Sequence, residues 1–162
     1  MVDISFRFGV QDDAPQLDRV QSLSIVGLCK SHYTNEEIRA LTQHIKPYHT
    51  WIAQGMFSGF FVFLAENNGD IVGFSSISGK GILHGMYVLP EYSQRGIGSK
   101  LLSGVESTAK QRGTEYISVT ASLNSQYFYE KHGYQYLGSA SLPLRQGTTI
   151  KAISMQKILT CP

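Results

Sequence analysis

The segment from residue 83 to residue 102 constrains the fold most, because a strand pattern there runs through a glycine-bearing turn into a helix. The turn reads Gln94-Arg95-Gly96-Ile97-Gly98-Ser99-Lys100, and an apolar stripe at helical spacing follows it. The first N–H groups of a helix lack backbone acceptors and favour a bound anion. The two glycines let the backbone approach that anion, and the two basic residues add positive charge. The segment therefore predicts a phosphate or diphosphate site.

The sequence matches two well-known nucleotide-binding motifs poorly. A dinucleotide-binding fingerprint, Gly-x-Gly-x-x-Gly, would need glycine where Leu101 stands. A P-loop needs Gly-Lys followed by Ser or Thr, whereas Gly79-Lys80 is followed by Gly81. From the turn alone, a nucleotide-binding α/β domain and a glycine turn without any ligand both stay open as alternatives.

The whole chain, residues 1–162, predicts one α/β domain with the element order β-α-α-β-β-β-α-β-α-β-β. A strand, a crossover helix and a second strand around the glycine turn imply one parallel strand pair in a mostly antiparallel sheet. The hairpin signal is Asn67-Asn68-Gly69-Asp70, and residues 45–59 form an aromatic-rich connection that we leave unassigned. The predicted strands are 4–8, 60–66, 71–77, 82–89, 116–120, 134–137 and 150–157.

Composition limits the classes of partner. Lys and Arg number 14 and Asp and Glu number 12, and the resulting net charge of +2 is too mild to indicate nucleic acid or an anionic membrane. No run approaches the ~18 apolar residues of a membrane span, and the N-terminus lacks a signal-peptide pattern. Cys29 and Cys161 show no zinc-site spacing. We therefore expect free thiols, no metal and a cytoplasmic location.

Residues 83–138 resemble the GNAT superfamily of N-acetyltransferases. The family signature, Gln or Arg followed by x-x-Gly-x-Gly or Ala, matches Ser93-Gln94-Arg95-Gly96-Ile97-Gly98. A second segment, Ser125-Gln126-Tyr127-Phe128-Tyr129-Glu130-Lys131-His132-Gly133-Tyr134, is similar to the family's Ala-x-x-Phe-Tyr-Glu-Lys-x-Gly-Phe. Two positions depart: Ser93 replaces Gln or Arg, and Ser122 stands where Asn is common, with Asn124 nearby.

The resemblance implies that acetyl-CoA lies in a gap where the parallel strands 82–89 and 116–120 splay apart. The strand segment Met86-Tyr87-Val88 would hold the pantetheine, with backbone hydrogen bonds from its first and last residues. The turn from Gln94 to Lys100 would hold the diphosphate, and Asn124 and Ser125 would flank the CoA arm. A CoA-binding sensor or regulatory module without transfer activity is the alternative.

The resemblance further implies direct transfer of the acetyl group to an amine acceptor. Tyr129 would protonate the departing thiolate, or it is simply a packing aromatic. His84 is the candidate base, because the two-residue strand period places it on the face of Met86 and its ordinary pKa is ~6.5. Ordered water is the alternative base. Tyr33 and Trp51 are expected in the acceptor wall, and a homodimer through exposed late strands is consistent with the family.

Overall fold

The computed structural model describes residues 3–44, 59–144 and 147–159. Within these residues one seven-stranded sheet forms, in the order β1-β2-β3-β4-β5-β7-β6. The strands are β1 (Ile4–Phe8), β2 (Phe61–Asn67), β3 (Asp70–Ile77), β4 (Ile82–Val88), β5 (Tyr116–Ala121), β6 (Gln135–Pro143) and β7 (Thr149–Ile158). The predicted mixed α/β sheet is confirmed. Trp51 lies outside the described residues.

Every strand pair is antiparallel except β4 with β5. That parallel pairing is short, since it joins Ile82 to Ser118 and Leu83 to Val119 and includes no residue beyond them. The two strands therefore diverge after Leu83. The predicted splay of the parallel pair is confirmed.

The described residues contain four α-helices: α1 (Ala14–Leu28), α2 (Asn35–His44), α3 (Ile97–Gln111) and α4 (Gln126–Lys131). The sequence Thr34-Asn35-Glu36-Glu37 predicts a capping box at the start of α2. It forms, because the Glu37 N–H donates to Thr34 Oγ1 at 3.2 Å and the Thr34 N–H donates to the Glu37 carboxylate at 2.8 Å. None of the helices in the described segments is long and apolar enough to cross a membrane.

Helices α1 and α3 pack on opposite faces of the sheet. A Cβ atom at Gly73 would lie 3.2 Å from Leu101 of α3. The neighbouring Phe74 lies against the Tyr87 ring at 5.4 Å, and the Tyr87 hydroxyl accepts a hydrogen bond from Gln21 of α1 at 3.2 Å. Because successive strand residues point to opposite faces, this pattern fixes which helix each face meets.

The local sequence predicts the β2–β3 hairpin turn correctly but predicts the edge strand β6 too short. Asn68 and Gly69 adopt φ values of 51° and 88°, as the Asn-Gly hairpin signal predicts. Strand β6 runs to Pro143, six residues past its predicted end. Its extra part, Gly138-Ser139-Ala140-Ser141-Leu142-Pro143, lies at the sheet edge and carries few large apolar side chains. Pairing with β7 stabilises it, and that partner is not visible in local sequence.

Candidate functional site

A cleft of about 440 Å³ opens where β4 and β5 diverge. Its floor comes from β4, one end from the turn before α3, one wall from α1 and the other wall from the segment leading into α4. The lining residues are Ser24, Ile25, Leu28, Cys29, Met86, Tyr87, Val88, Tyr92, Ser93, Gln94, Gly96, Gly98, Ser99, Ser122, Asn124, Ser125, Tyr127, Phe128, Tyr129, Lys131 and His132. Ten of the predicted site residues are among them.

The backbone of β4 presents polar groups to this cleft. The Leu89 N–H donates to Val72 O of β3 at 2.8 Å. Because N–H groups alternate between the two edges of a strand, those of Met86 and Val88 point to the opposite edge, where β5 has diverged. A bound molecule could therefore pair with this strand edge as a short β-strand would.

The turn before α3 is shaped as a cradle for an anion. Gln94 and Gly96 both adopt left-handed φ values, 61° and 77°, and such turns point successive N–H groups toward one concavity. The first helical bond runs from the Lys100 N–H to Gly96 O at 3.2 Å. The N–H groups of residues 97–99 precede that bond, so no intrahelical carbonyl accepts from them.

Side chains contribute less to this cradle than the sequence predicted. Ile97 is 4% exposed and packs in the core, so its backbone alone faces outward. The Arg95 guanidinium lies 5.5 Å from the Tyr92 ring centre, and the Lys100 ammonium lies 5.4 Å from the ring centre of Phe6. The side chains of Arg95, Ile97 and Lys100 do not line the cleft. Cation–π contacts and core packing hold them elsewhere.

Ser93, the first departure from the family pattern, has a local role. Its hydroxyl donates to Pro90 O at 2.7 Å and so closes the short turn Pro90–Tyr92 that follows β4. At the second departure, the hydroxyls of Ser122 and Ser125 lie 3.1 Å apart, and Ser125 also donates to Ser122 O at 2.8 Å. The Ser93 hydrogen bond thus stabilises the turn after β4, and the bonds between Ser122 and Ser125 stabilise the segment before α4.

Asn124 carries an unused acceptor in the cleft. Its Oδ1 atom is buried and has no hydrogen-bond partner among the described residues. A buried carbonyl oxygen without a donor costs about 1–3 kcal/mol. A ligand N–H would satisfy it, which supports the predicted place of Asn124 in the site.

Tyr129 lines the cleft on the α4 side. The residue is 4% exposed, and its ring packs edge-on against Phe128 and Tyr134. Burial raises the pKa of Tyr129 well above its ordinary value, and the neighbouring Tyr87 phenol raises it further. The phenol therefore stays protonated at neutral pH and can serve as a hydrogen-bond donor.

The face argument for His84 is wrong. The β3–β4 register shifts between Ser76 and Ile77, so that Leu83 pairs with Ile77 and Gly85 with Ser76. His84 is the extra residue of this bulge, and Leu83 and Met86 share the α3 side although they are three positions apart. His84 instead lies 4.8 Å from the Phe60 ring. It is half-buried, which lowers the pKa of its imidazole, and it does not line the cleft.

Tyr33 does not line the cleft either. Its hydroxyl donates to Lys151 O at 2.7 Å and accepts from the Leu123 N–H at 3.0 Å. At 7% exposure the side chain is buried, and both hydrogen bonds go to backbone groups. The described contacts make Tyr33 a link between the α1–α2 connection, β7 and the segment before α4, and its contact with the acceptor stays a prediction.

Sequence reasoning missed most of the α1 wall and the outer part of α4. Ser24, Ile25, Leu28 and Cys29 lie on α1 or at its end, and their place in the cleft depends on how α1 packs beside β4. Burial raises the pKa of Cys29 to about 11, so its thiol is neutral. Phe128 and Lys131 of α4, and His132 directly after it, stand in the second family segment. Their spacing of three and four residues places them on one side of the helix.

Across residues 3–44, 59–144 and 147–159, no three His, Cys, Asp or Glu side chains come close enough together to hold a metal ion.

Comparisons with known proteins agree with this geometry. The family model described as an acetyltransferase (GNAT) domain matches residues 29–159. A GCN5-related N-acetyltransferase of known structure from Rhodopseudomonas palustris is 26% identical, with a TM-score of 0.86 over 98% of each chain. PaiA N-acetyltransferase from Thermoplasma acidophilum, solved in complex with coenzyme A, is 21% identical, with a TM-score of 0.77 over 96% of this chain and 99% of that one.

A curated relative is similar over a shorter stretch. N-acetyltransferase YhfO of Bacillus subtilis, itself uncharacterized, is 30% identical over an alignment of 86 residues that covers 46% of this chain. The match spans 58% of the length of that relative. Because the family model covers most of the 162 residues and the cleft has the expected shape, the chain belongs to the GNAT acetyltransferase domain family, a family of acyltransferases.

Proposed function

We propose that this chain binds acetyl-CoA in the cleft and transfers the acetyl group to a primary amine of a small molecule or protein by direct attack. The observation that carries the proposal is that the free edge of β4, an anion cradle and a buried phenol line one cleft. A long ligand with a phosphate end, an amide-bearing arm and a reactive thioester fits that set of groups.

The cradle would bind the diphosphate through the N–H groups of residues 96–99, with the dipole of α3 favouring negative charge. Met86 and Val88 would pair with the amides of the pantetheine arm. The free acceptor of Asn124 is suited to an N–H on that arm. The Val88 N–H would stabilise negative charge on the thioester oxygen as the amine attacks.

Tyr129 is the proposed general acid. Its raised pKa makes full proton transfer to an ordinary thiolate unfavourable, but the same apolar surroundings also raise the pKa of a departing thiol. A hydrogen bond from the phenol would stabilise the thiolate as it forms, and the proton would pass to the sulfur as the C–S bond breaks.

The amine must be neutral before it attacks. A half-buried His84 with a lowered pKa is neutral at pH 7 and can accept a proton. Because His84 lies outside the cleft lining, a water molecule between it and the amine is required, or ordered water alone serves as base. We place the reaction in the cytoplasm, where a buried free thiol such as Cys29 stays reduced.

A CoA-binding regulatory module is the second candidate function. The observation in its favour is that the Ser93 hydroxyl, at the position where the family usually carries Gln or Arg, is committed to Pro90. Both candidates require CoA binding, and transfer separates them.

The first experiment is thermal unfolding with and without acetyl-CoA, with ATP and NAD as controls. Ligand at ~100 times its dissociation constant should stabilise the native state by ~2.7 kcal/mol. A shift with acetyl-CoA alone supports the site, and no shift for a folded protein refutes it. Thiol release from acetyl-CoA across a panel of amines then separates a transferase from a regulatory module.

A further inference from the structure

A histidine and a serine are hydrogen-bonded to each other at the phosphate end of the cleft. His132 follows α4 directly, and its Nδ1 atom lies 2.7 Å from Phe128 O. Its Nε2 atom lies 2.9 Å from the hydroxyl of Ser99, in the first turn of α3. The imidazole also packs on the Phe128 ring, with the ring centres 4.4 Å apart. Both residues line the cleft.

The partners of His132 fix what each nitrogen does. A carbonyl oxygen can only accept a hydrogen bond, so Nδ1 carries a proton. In the neutral imidazole Nε2 then has a lone pair and accepts the Ser99 O–H. The serine O–H therefore donates to the histidine, and Ser99 Oγ has only lone pairs to offer to any other group beside it.

Protonation of the imidazole reverses this arrangement. Nε2–H then donates to Ser99 Oγ, and the serine O–H is released to donate elsewhere. An anion next to Ser99 meets lone pairs in the first state and a hydroxyl donor backed by a positive charge in the second. The two states therefore differ in how well they accept a phosphate oxygen.

We propose that His132, acting through Ser99, takes up a proton from solvent when the diphosphate of CoA binds at the start of α3. The inference rests on the proposed function, because it takes CoA as the ligand of the cleft. The one bond that forms is the Nε2–H bond of His132, and its proton comes from solvent. His132 is a positioning residue, and CoA binding tightens as the pH falls.

The charged groups around His132 are few and lie on three elements. Lys131 of α4 lines the same cleft. Lys157 of β7 approaches from the side of Gly133, and it is paired with Glu106 of α3 at 2.9 Å. Lys100 of α3 is turned onto Phe6. Histidine is the side-chain type among these whose charge ordinarily changes between pH 5 and 8.

The test is isothermal titration calorimetry with dephospho-CoA at pH values from 6.0 to 8.5. This ligand keeps the diphosphate but lacks the 3′-phosphate, which would itself titrate in that range. At each pH the titration is repeated in buffers of different ionisation enthalpy, and the slope gives the number of protons taken up. We expect net uptake near pH 7, and binding about tenfold tighter at pH 6.0 than at pH 8.5.

Three variants identify the group and the route. His132→Gln should abolish proton uptake and flatten the pH dependence while dephospho-CoA still binds. Ser99→Ala should also flatten it, because the hydroxyl link is gone. Lys131→Gln is the matched control: it removes a positive charge from the same cleft, so it should weaken binding at every pH and leave proton uptake intact.

The outcomes are distinct. Wild-type binding without proton uptake, or uptake that persists in His132→Gln, would overturn the inference and leave the proposed function standing. A full pH dependence in Ser99→Ala would overturn the role of Ser99. If neither CoA nor dephospho-CoA binds the folded wild-type protein, the proposed function fails and the inference fails with it.

Discussion

Two glycines at opposite ends of α3 offer a matched test of the cradle. Gly96 precedes the helix with φ 77°, and Gly113 follows it with φ 80°. A Cβ atom built at either position meets no atom of the described residues within 4 Å. Alanine at each site therefore causes backbone strain without a clash, and the two substitutions differ mainly in what lies beside them.

The expected loss of stability is the same for both. Alanine in the left-handed region costs about 1–2 kcal/mol relative to glycine. For a domain of this size about 1 kcal/mol lowers the melting temperature by roughly 2–4 °C. Gly96→Ala and Gly113→Ala should therefore melt several degrees below the wild type and close to each other.

Binding should separate the two variants. Gly96 lines the cleft, so its added methyl group and any relaxation of φ would disturb the N–H groups that face the diphosphate. Gly113 lies about 22 Å away along the 15-residue helix. Titration calorimetry with acetyl-CoA should give an affinity at least tenfold weaker for Gly96→Ala and unchanged for Gly113→Ala. Equal affinities would refute the diphosphate cradle at this turn.

Three further predictions follow from named contacts. Tyr33→Phe should lower the free energy of unfolding by about 2 kcal/mol in urea unfolding, because two buried backbone partners lose the hydroxyl. An altered KM for the amine without destabilisation would instead support Tyr33 as an acceptor contact. Tyr129→Phe should lower kcat about 100-fold with acetyl-CoA affinity retained, and unchanged turnover would remove the phenol from the mechanism. Arg7 donates two hydrogen bonds of 2.8 Å to Asp13 and lowers the pKa of that carboxyl. A group whose pKa is lowered in the folded state stabilises the protein above its unfolded-state pKa and loses that effect as the pH falls. In urea unfolding, Asp13→Asn should therefore destabilise the protein by about 1–2 kcal/mol at pH 7 and by much less at pH 3. An equal loss at both pH values would contradict the ionic contribution.

Much of the fold could be predicted from local sequence. The element order, the Asn-Gly hairpin, the Thr34–Glu37 capping box and the glycine turn before α3 depend on residues close together in the chain, and the structure confirms each of them. The far end of β6 could not be predicted, because its residues carry no apolar alternation and β7 supplies the pairing.

The candidate site divides in the same way. The glycine turn was predicted from a φ requirement, which is a local property, whereas the β4 segment around Met86 and Val88 and the residue Tyr129 were predicted from the family resemblance. All of them line one cleft. Tertiary structure decided where the longer side chains go. Arg95 and Lys100 turn onto aromatic rings, Ile97 enters the core, and the Tyr33 hydroxyl is used by backbone groups 90 and 118 positions away.

The bulge in β4 shows the physical reason for that division. One extra residue opposite Ser76 and Ile77 interrupts the two-residue alternation, so the period no longer assigns His84 to a face. The register of a strand is set by its neighbour, and the neighbours of a long polar side chain are set by the packing of several elements. Local sequence specifies backbone conformation, whereas the destination of His84, and the meeting of Ser99 with His132 across 33 positions, exist only once the sheet and helices have packed together.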